Sequence, residues 1–232
     1  MQNNYVWLGI GIIIAIVLVG GILFLRPHAA VAPTQSTTAT TTTASTTSVY
    51  LGNGVTANLP PGATIKIVGG VNPPSLAGSI NIATDLPADA QAALRTQEQT
   101  LIGELQKDPT RADLWLQLGV DRKIGADYQG AIAAWTYVAQ AGPASINYVA
   151  YGDLGDLYMN FVKDYPKAAA NYKAAIAINP TVIDYYRSLY NLYRYDDNNL
   201  AAAAAIVAQG LKANPNNPDL LQMQQQLSGS TQ

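Results

Sequence analysis

The chain has 232 residues with a formal net charge of −2 at pH 7, from 13 Lys and Arg and 15 Asp and Glu. This balance, with a pI near 5.2, excludes the strongly basic surface that nucleic-acid binding needs, so no nucleic acid is expected as a partner. There is no cysteine and a single histidine, His28, which excludes His/Cys metal sites and Cys/His catalytic pairs. No motif supports an enzymatic activity, a metal or a cofactor.

After a tail of residues 1–4, residues 5–25 contain no charged side chain and consist mainly of Ile, Val, Leu and Gly. About twenty such residues suffice for a helix that crosses a bilayer. The alternative is a cleaved secretory signal, because Ala30-Val31-Ala32 has the small-x-small form of a cleavage site. The length of the apolar run, the absence of a preceding Lys or Arg, and Pro33 after the cut favour an uncleaved single-pass anchor.

Residues 26–48 are predicted to be a disordered linker, because 12 of the 15 residues 34–48 are Ser or Thr. Stalks of this composition are sometimes O-glycosylated, which composition alone does not show. The orientation in the membrane is open. Arg26 on the C-terminal side of the apolar run places the rest of the chain in the cytoplasm by a literal positive-inside count. The Thr-rich stalk favours the outside, so we expect an extracytoplasmic domain at the cell envelope.

Residues 49–84 contain no Asp or Glu and are predicted to form strands and turns. Val55–Leu59 and Ala63–Val68 alternate loosely on either side of the turn signal Pro60-Pro61-Gly62, which predicts a β-hairpin. A lone hairpin is marginal in water, so it must lean on the rest of the chain, pair with a partner or remain partly disordered. All acidic residues follow from Asp85 onward, which marks the start of the main folded part.

The two ends of this main part are predicted to be capping helices. Residues 85–109 carry an apolar stripe at helical spacing that includes Leu94, Leu101 and Leu105. Residues 218–232 are predicted to form a shorter helix and tail, with Leu and Met among glutamines.

Between the caps, residues 110–145, 146–182 and 183–217 share one spacing, in which an Ala is followed four residues later by a large apolar residue and twelve later by a Pro. The three copies are Ala131/Trp135/Pro143, Ala168/Tyr172/Pro180 and Ala203/Val207/Pro215. The matching first halves are Trp115-x2-Leu118-Gly119, Tyr151-x2-Leu154-Gly155 and Tyr186-x2-Leu189-Tyr190. A fixed spacing with a period near 35 residues predicts stacked supersecondary units.

Joined together, these halves resemble the tetratricopeptide repeat (TPR) family. The resemblance implies an all-α solenoid of three helical hairpins plus the two capping helices, in which Gly119, Gly155 and the three alanines allow close helix packing. The second and third units have one more residue than the first between the Gly-equivalent position and the Ala, which predicts an extra residue in each inter-helix turn. Four polar residues, each four positions after a proline, are predicted to cap helix starts: Asp113, Asn147, Asp184 and Asp219.

In TPR proteins the first helices of successive repeats line a concave groove that binds a peptide. The corresponding positions in this chain are Asp113, Leu116, Val120, Lys123, Asp156, Met159, Asn160, Arg187, Asn191 and Arg194. The Arg-bearing third unit would grip a carboxylate of the bound peptide, although the family's carboxylate clamp needs more basic residues than are present. The run Asp196-Asp197-Asn198-Asn199 is interpreted as a solvated turn because a calcium loop would require a Gly there.

The functional hypothesis is a membrane-anchored scaffold that binds a protein or peptide partner and is not an enzyme. The alternative is a structural protein that self-associates into homo-oligomers through edge pairing of the Ile65–Val68 strand, without a separate client. A third and weaker option is a glycan-associated envelope module that uses exposed tyrosines as stacking platforms.

Overall fold

The computed structural model describes residues 47–52, 55–67, 70–77 and 80–229. The predicted anchor, residues 5–25, lies outside this part of the chain, as does the predicted linker except for Thr47 and Ser48. Among the described residues, no helix combines the length and the apolar character needed to cross a membrane.

The described part of the chain is mostly helical, which confirms the all-α class expected from the sequence. A two-stranded hairpin comes first, with β1 at Thr47–Gly52 and β2 at Val55–Leu59. Eight helices follow within the described residues: α1 (Ala88–Lys107), α2 (Ala112–Ile124), α3 (Tyr128–Ala141), α4 (Ala144–Leu157), α5 (Tyr165–Ile178), α6 (Ile183–Asn191), α7 (Leu200–Ala213) and α8 (Pro218–Ser228).

Helices that follow one another along the chain pack side by side, from α1 against α2 to α7 against α8. Pro143, Pro180 and Pro215 lie in the connections after α3, α5 and α7. A proline has no amide hydrogen to continue a helix, so each one ends a helix at the corresponding place. The buried side chains form two clusters, one around Trp115 and Trp135 and one around tyrosines of α5 and α6.

The small residues at the predicted packing positions allow close helix contacts. Ala131, Ala168 and Ala203 are fully buried. A Cβ atom on Gly119 would lie 2.2 Å from Trp135 Nε1, and one on Gly155 would lie 2.6 Å from the Tyr172 ring. Glycine at these two positions therefore lets the indole and phenol rings of one helix lie against the backbone of the preceding one.

Two aromatic side chains tie the start of a helix to the proline before it. The indole Nε1 of Trp115 donates a hydrogen bond to the carbonyl of Pro109 at 2.9 Å, and the hydroxyl of Tyr186 donates one to the carbonyl of Pro180 at 3.2 Å. Both pairs are six residues apart in the sequence. The proline and the aromatic residue thus fix the entry of the chain into α2 and α6 in the same way.

The predicted helix caps were wrong. Helices α2, α4, α6 and α8 begin at Ala112, Ala144, Ile183 and Pro218, so the four polar residues lie inside the helices. No side chain caps the first three of these helices, and Asn217 caps α8. The carboxylates in the first turns are still favourable there, because the positive end of the helix dipole attracts them.

Side-chain caps occur instead at the starts of α3, α5 and α7. They accept hydrogen bonds from main-chain amides three residues later: Asp127 from Gly130, Asp164 from Lys167 and Asn199 from Ala202. In each case a short polar side chain satisfies one of the free amides of the first turn. Asn199 belongs to the acidic run that was predicted to be a solvated turn.

The extra residue of the second and third units lies at the end of the first helix and not in the turn. Helix α4 continues into a π-helical turn at Tyr158–Val162, and α6 continues into another at Leu192–Asp196. A π turn accommodates one more residue than an α turn, and it usually occurs as a single-turn bulge. The helix axis can therefore continue while the connection to the next helix stays short.

The turns that precede α3, α5 and α7 each contain a non-glycine residue in the left-handed region, directly before the capping residue of the helix. These residues are Ala126 (φ 62°), Lys163 (φ 62°) and Asn198 (φ 49°). Left-handed backbone is unfavourable for residues with a Cβ and free of this penalty for glycine. We expect Lys163→Gly to raise the free energy of unfolding by about 0.5–1 kcal/mol, as measured by chemical unfolding of the full chain.

A matched control for this prediction is Lys212→Gly, which removes the same side chain from an exposed position in the last turn of α7. It should lower the free energy of unfolding by about 1 kcal/mol, because glycine is unfavourable in a helix. Equal losses in both variants would show that the left-handed turn carries no penalty.

The strand pairing predicted for Val55–Leu59 was wrong. Strand β2 pairs antiparallel with the upstream strand β1, with Thr47 opposite Leu59, and not with Ala63–Val68. The turn at Pro60-Pro61-Gly62 is present, with Gly62 at φ 76°. It directs the chain towards the start of α2, so that residues 65–67 find backbone partners there in place of a hairpin strand.

Candidate functional site

Three of the four predicted groove positions in α2 lie in the interior. Asp113, Leu116 and Val120 are 1%, 0% and 6% exposed. Leu116 and Val120 belong to the buried cluster that includes Ile67 and against which Ile65 packs. In this conformation their side chains are not presented to a separate partner.

The chain's own N-terminal segment, of which residues 47–52, 55–67, 70–77 and 80–83 are described, covers α2. Strand β1 lies against α2 and α4. At the start of α2, the amide of Ile67 donates to the carbonyl of Thr110 at 2.6 Å, and the amide of Ala112 donates to the carbonyl of Ile65 at 2.7 Å. At the end of α2, the amide of Ala83 donates to the carbonyl of Gly125 at 2.8 Å. The hairpin and the chain after it therefore lean on the helices, as one of the sequence alternatives required.

An ion pair adds to this attachment. Lys66 Nζ lies 2.8 Å from Asp108 Oδ2, and its hydrogen bond lowers the pKa of the Asp108 carboxyl to about 2. A recess of about 290 Å³ lies nearby, lined by Leu59, Pro60, Gly62, Ala63, Thr64, Arg111 and Asp113. Its two charged residues form an ion pair with each other, because Arg111 Nε and Nη2 donate hydrogen bonds to the Asp113 carboxylate at 2.9 and 2.6 Å.

A second cavity, of about 280 Å³, opens between α4 and α6. None of its lining residues belongs to the N-terminal segment that covers α2. These residues are Asp156, Asp184, Tyr185, Arg187, Ser188 and Asn191. Asp156, Arg187 and Asn191 were predicted groove positions, so the structure brings three of them together. The other three were missed. Asp184 and Ser188 could have been found from their spacing, since positions 184, 187, 188 and 191 form one stripe along a helix.

The remaining predicted positions are engaged elsewhere. The ammonium of Lys123 lies 5.7 Å from the centre of the Trp135 ring, and Asn160 Nδ2 donates to the carbonyl of Asp156 at 3.1 Å. Met159 Sδ lies 3.7 Å from the Tyr172 hydroxyl. Arg194 lies over the rings of two tyrosines of its own segment and donates to one of them, the Tyr190 hydroxyl, at 2.8 Å.

The guanidinium of Arg187 is already paired within the protein. Its Nη1 binds Asp184, and its Nη2 lies 2.5 Å from Asp219 Oδ2 in α8. A carboxylate from a partner would have to displace one of these aspartates. The predicted grip of an Arg-bearing third unit on a carboxylate is therefore opposed by the charges around it.

Two aspartates of α4, Asp156 in the cavity wall and Asp153, are poorly compensated. Asp156 Oδ1 accepts a hydrogen bond from the Tyr172 hydroxyl at 2.5 Å, yet burial raises the pKa of Asp156 above its usual range. Asp153, one turn earlier, is 1% exposed, and neither of its carboxylate oxygens has a partner. Burial raises the pKa of Asp153 strongly, while the charge of Lys123 acts in the opposite direction.

Tyr185 completes this group. It is 2% exposed and lines the cavity, and its buried hydroxyl has no partner. A Cβ atom on Gly152 would lie 2.4 Å from the Tyr185 ring, so the glycine lets the ring lie directly against α4. Burial raises the pKa of the Tyr185 hydroxyl, and the charge of Asp153 adds to the shift.

Within the described ranges, no group of three or more His, Cys, Asp or Glu side chains is arranged to hold a metal ion. Comparison with models of known protein families finds no match, and comparison with curated proteins finds no similar sequence. Function is therefore inferred from the geometry of the α4–α6 cavity.

Proposed function

We propose that the helical part of this protein is a TPR-type scaffold that binds a peptide segment of a partner protein in the α4–α6 cavity. The observation that carries the proposal is the cavity itself. It lies between two helices that the sequence resemblance names as groove-lining, and it unites Asp156 with Arg187 and Asn191.

The size and lining of the cavity support a peptide ligand. Pockets for drug-sized molecules hold roughly 300–1,000 Å³, so a cavity of about 280 Å³ suits one or two side chains of a longer ligand. Its walls are helix faces with several hydrogen-bonding groups, including Ser188 and Asn191. Because Leu116 and Val120 of α2 are buried, the predicted groove positions that remain open to a partner lie mainly on the later helices.

Self-association through the Ile65–Val68 edge has less support. The amide of Ile67 and the carbonyl of Ile65 already bond to the start of α2. A second copy would have to displace this backbone pairing before it could use the same edge.

The test of the proposed function is a selection of random peptides displayed on phage, with the full chain in detergent micelles as the target. We expect enriched peptides that bind wild type and are lost with Ser188→Trp, which fills the cavity. The matched control is Ser145→Trp, at an exposed position of α4, and it should retain binding. Failure to enrich any peptide, or equal binding to both tryptophan variants, would exclude the cavity as the binding site.

We further propose that residues 5–25 anchor this scaffold in the membrane, with the helices on the extracytoplasmic side. The apolar run and the Thr-rich segment after it support this arrangement. Protease treatment of intact cells should remove residues 86–232. Full protection that is lost on cell lysis would place the helices in the cytoplasm.

A further inference from the structure

Two acidic side chains are buried where α1 packs against α2. Glu98 of α1 is 1% exposed and Asp121 of α2 is 2% exposed. Both groups contact the opposite helix, since Gln97 Nε2 of α1 donates to Asp121 Oδ1 at 3.1 Å and Arg122 Nε of α2 lies 3.8 Å from Glu98 Oε2. The two carboxyl groups therefore belong to the interface between these helices.

Little positive charge is available to balance these groups. Arg122 Nε has no hydrogen-bond partner and lies 3.8 Å from Glu98 and 3.9 Å from Asp127, so its charge is shared between two carboxylates. Arg95 of α1 is exposed and acts on Glu98 through its charge. The buried atoms Glu98 Oε1 and Asp121 Oδ2 have no hydrogen-bond partner.

Protonation removes this difficulty, because a neutral carboxyl group is buried at a much lower free-energy cost than a carboxylate. Burial accordingly raises the pKa of both Glu98 and Asp121 to about 7. The charge of Glu98 adds to the shift in the pKa of Asp121, and the charge of Asp127 adds to the shift in the pKa of Glu98. Arg122 and Arg95 lower the pKa of Glu98 but do not cancel the effect of burial.

We infer that the contact between α1 and α2 is a pH-sensitive device, which holds while Glu98 and Asp121 are protonated and loosens when both are ionised. In a detached α1 the two groups would have ordinary pKa values of about 4, so packing of the helix takes up protons. The stability that these groups give to the contact is fully present below about pH 4 and is lost as the pH rises through 7.

Loosening of this contact changes the surface at the N-terminal end of the helices. Leu101 and Leu105 of α1 belong to the buried cluster that also contains Trp115 and Leu118, and detachment of α1 exposes these apolar side chains to solvent. None of them lines the α4–α6 cavity, so the device is independent of the proposed function.

The experiment uses spin labels, which can be attached to introduced cysteines because the chain has none of its own. One pair of labels joins α1 to α5 through Gln99→Cys and Ala170→Cys, and the matched control pair joins α5 to α8 through Ala170→Cys and Gln224→Cys. All three positions are exposed. Distance distributions are measured by double electron–electron resonance on the full chain in detergent micelles at pH 5.5 and pH 8.5.

We expect a narrow distribution for both pairs at pH 5.5. At pH 8.5 the α1–α5 pair should gain a broad component, and the ratio of broad to narrow components should rise about hundredfold, or about tenfold for each carboxyl group. The α5–α8 pair should stay narrow. In Glu98→Gln/Asp121→Asn the α1–α5 pair should be narrow at both pH values, because neither side chain ionises.

A further control is Asp89→Asn, an exposed aspartate in α1, which should keep the full response to pH. If the double variant fails to fold, Glu98→Gln alone should reduce the rise to about tenfold. Three outcomes would overturn the inference: an α1–α5 distribution that is the same at both pH values, an equal change in the α5–α8 pair, or a response that persists when both carboxyl groups are removed.

Discussion

Replacing Gly119 with alanine is expected to lower the free energy of unfolding by about 3 kcal/mol. The added methyl group would lie 2.2 Å from Nε1 of Trp135, whose ring is fully buried and cannot move aside. The same Nε1 donates to the carbonyl of Leu116 at 3.1 Å, so displacement of the ring also breaks a buried hydrogen bond. Overpacking costs about 1–3 kcal/mol and a lost buried hydrogen bond costs a similar amount, against about 1 kcal/mol gained from better helix propensity.

The matched control is Gly103→Ala in the interior of α1, where an added Cβ meets no atom within 4 Å. This variant should be more stable than wild type by up to about 1 kcal/mol, because only the helix propensity changes. Both variants are measured by chemical unfolding of the full chain. A loss below about 1 kcal/mol for Gly119→Ala would mean that α2 and α3 do not approach as closely as the structure shows.

The positions of these contacts could be predicted from the sequence because they depend on local spacing. Gly119 and Trp135 are 16 residues apart along the chain, and Gly155 and Tyr172 are 17 apart. In the third unit the larger residue, Tyr190, stands at the glycine position and the smaller one, Val207, stands at the aromatic position. Both side chains are buried in one cluster. Each unit thus combines one aromatic side chain with one smaller residue at these two positions, so the departure from the pattern does not require a different arrangement.

Helix starts and strand partners could not be predicted as reliably. The sequence offers several short polar residues near each boundary, and the aromatic residue six positions after Pro109 or Pro180 helps decide where the helix begins. The strand partner of Val55–Leu59 depends on whether residues 63–68 find a better partner, and the start of α2 is that partner. Such choices depend on contacts between segments and not on local propensity.

The candidate site was partly predictable for the same reason. Helical spacing identified Asp156, Arg187 and Asn191, which line one cavity. It could not show that the N-terminal segment covers α2, nor that Asp219, 32 residues after Arg187, pairs with this arginine. Such long-range contacts follow from the fold and not from the spacing along one helix.

A second large effect on stability is expected from replacing Asp121, whose carboxylate is buried between α1 and α2. Its Oδ1 accepts hydrogen bonds from Gln117 Nε2 at 3.0 Å and Gln97 Nε2 at 3.1 Å, while its buried Oδ2 has no partner. Burial raises the pKa of Asp121 to about 7, and the nearby charge of Glu98 adds to the shift. Burial likewise raises the pKa of Glu98 to about 7, although Arg122 lies 3.8 Å away and acts in the opposite direction.

A carboxyl group whose pKa is higher in the folded protein than in the unfolded chain binds its proton more tightly when folded. The stability that it contributes is fully present below about pH 4, and it is lost as the pH rises through 7. We therefore expect Asp121→Asn to raise the free energy of unfolding by about 2–4 kcal/mol at pH 8 and to leave it nearly unchanged at pH 4. The asparagine oxygen can still accept both glutamine hydrogen bonds, and the variant's stability should vary less between pH 4 and 8.

The matched control is Asp113→Asn, an equally buried aspartate in the same helix whose carboxylate is bonded to Arg111. Removing this charge leaves the arginine without its partner in a site where it is only 21% exposed, so we expect a loss of about 2–3 kcal/mol at pH 8. The two substitutions thus have opposite signs at equal burial, because one carboxylate is paired and the other is not. Chemical unfolding of the full chain at pH 4 and pH 8 decides between them, and destabilisation by Asp121→Asn at pH 8 would show that its buried charge is compensated.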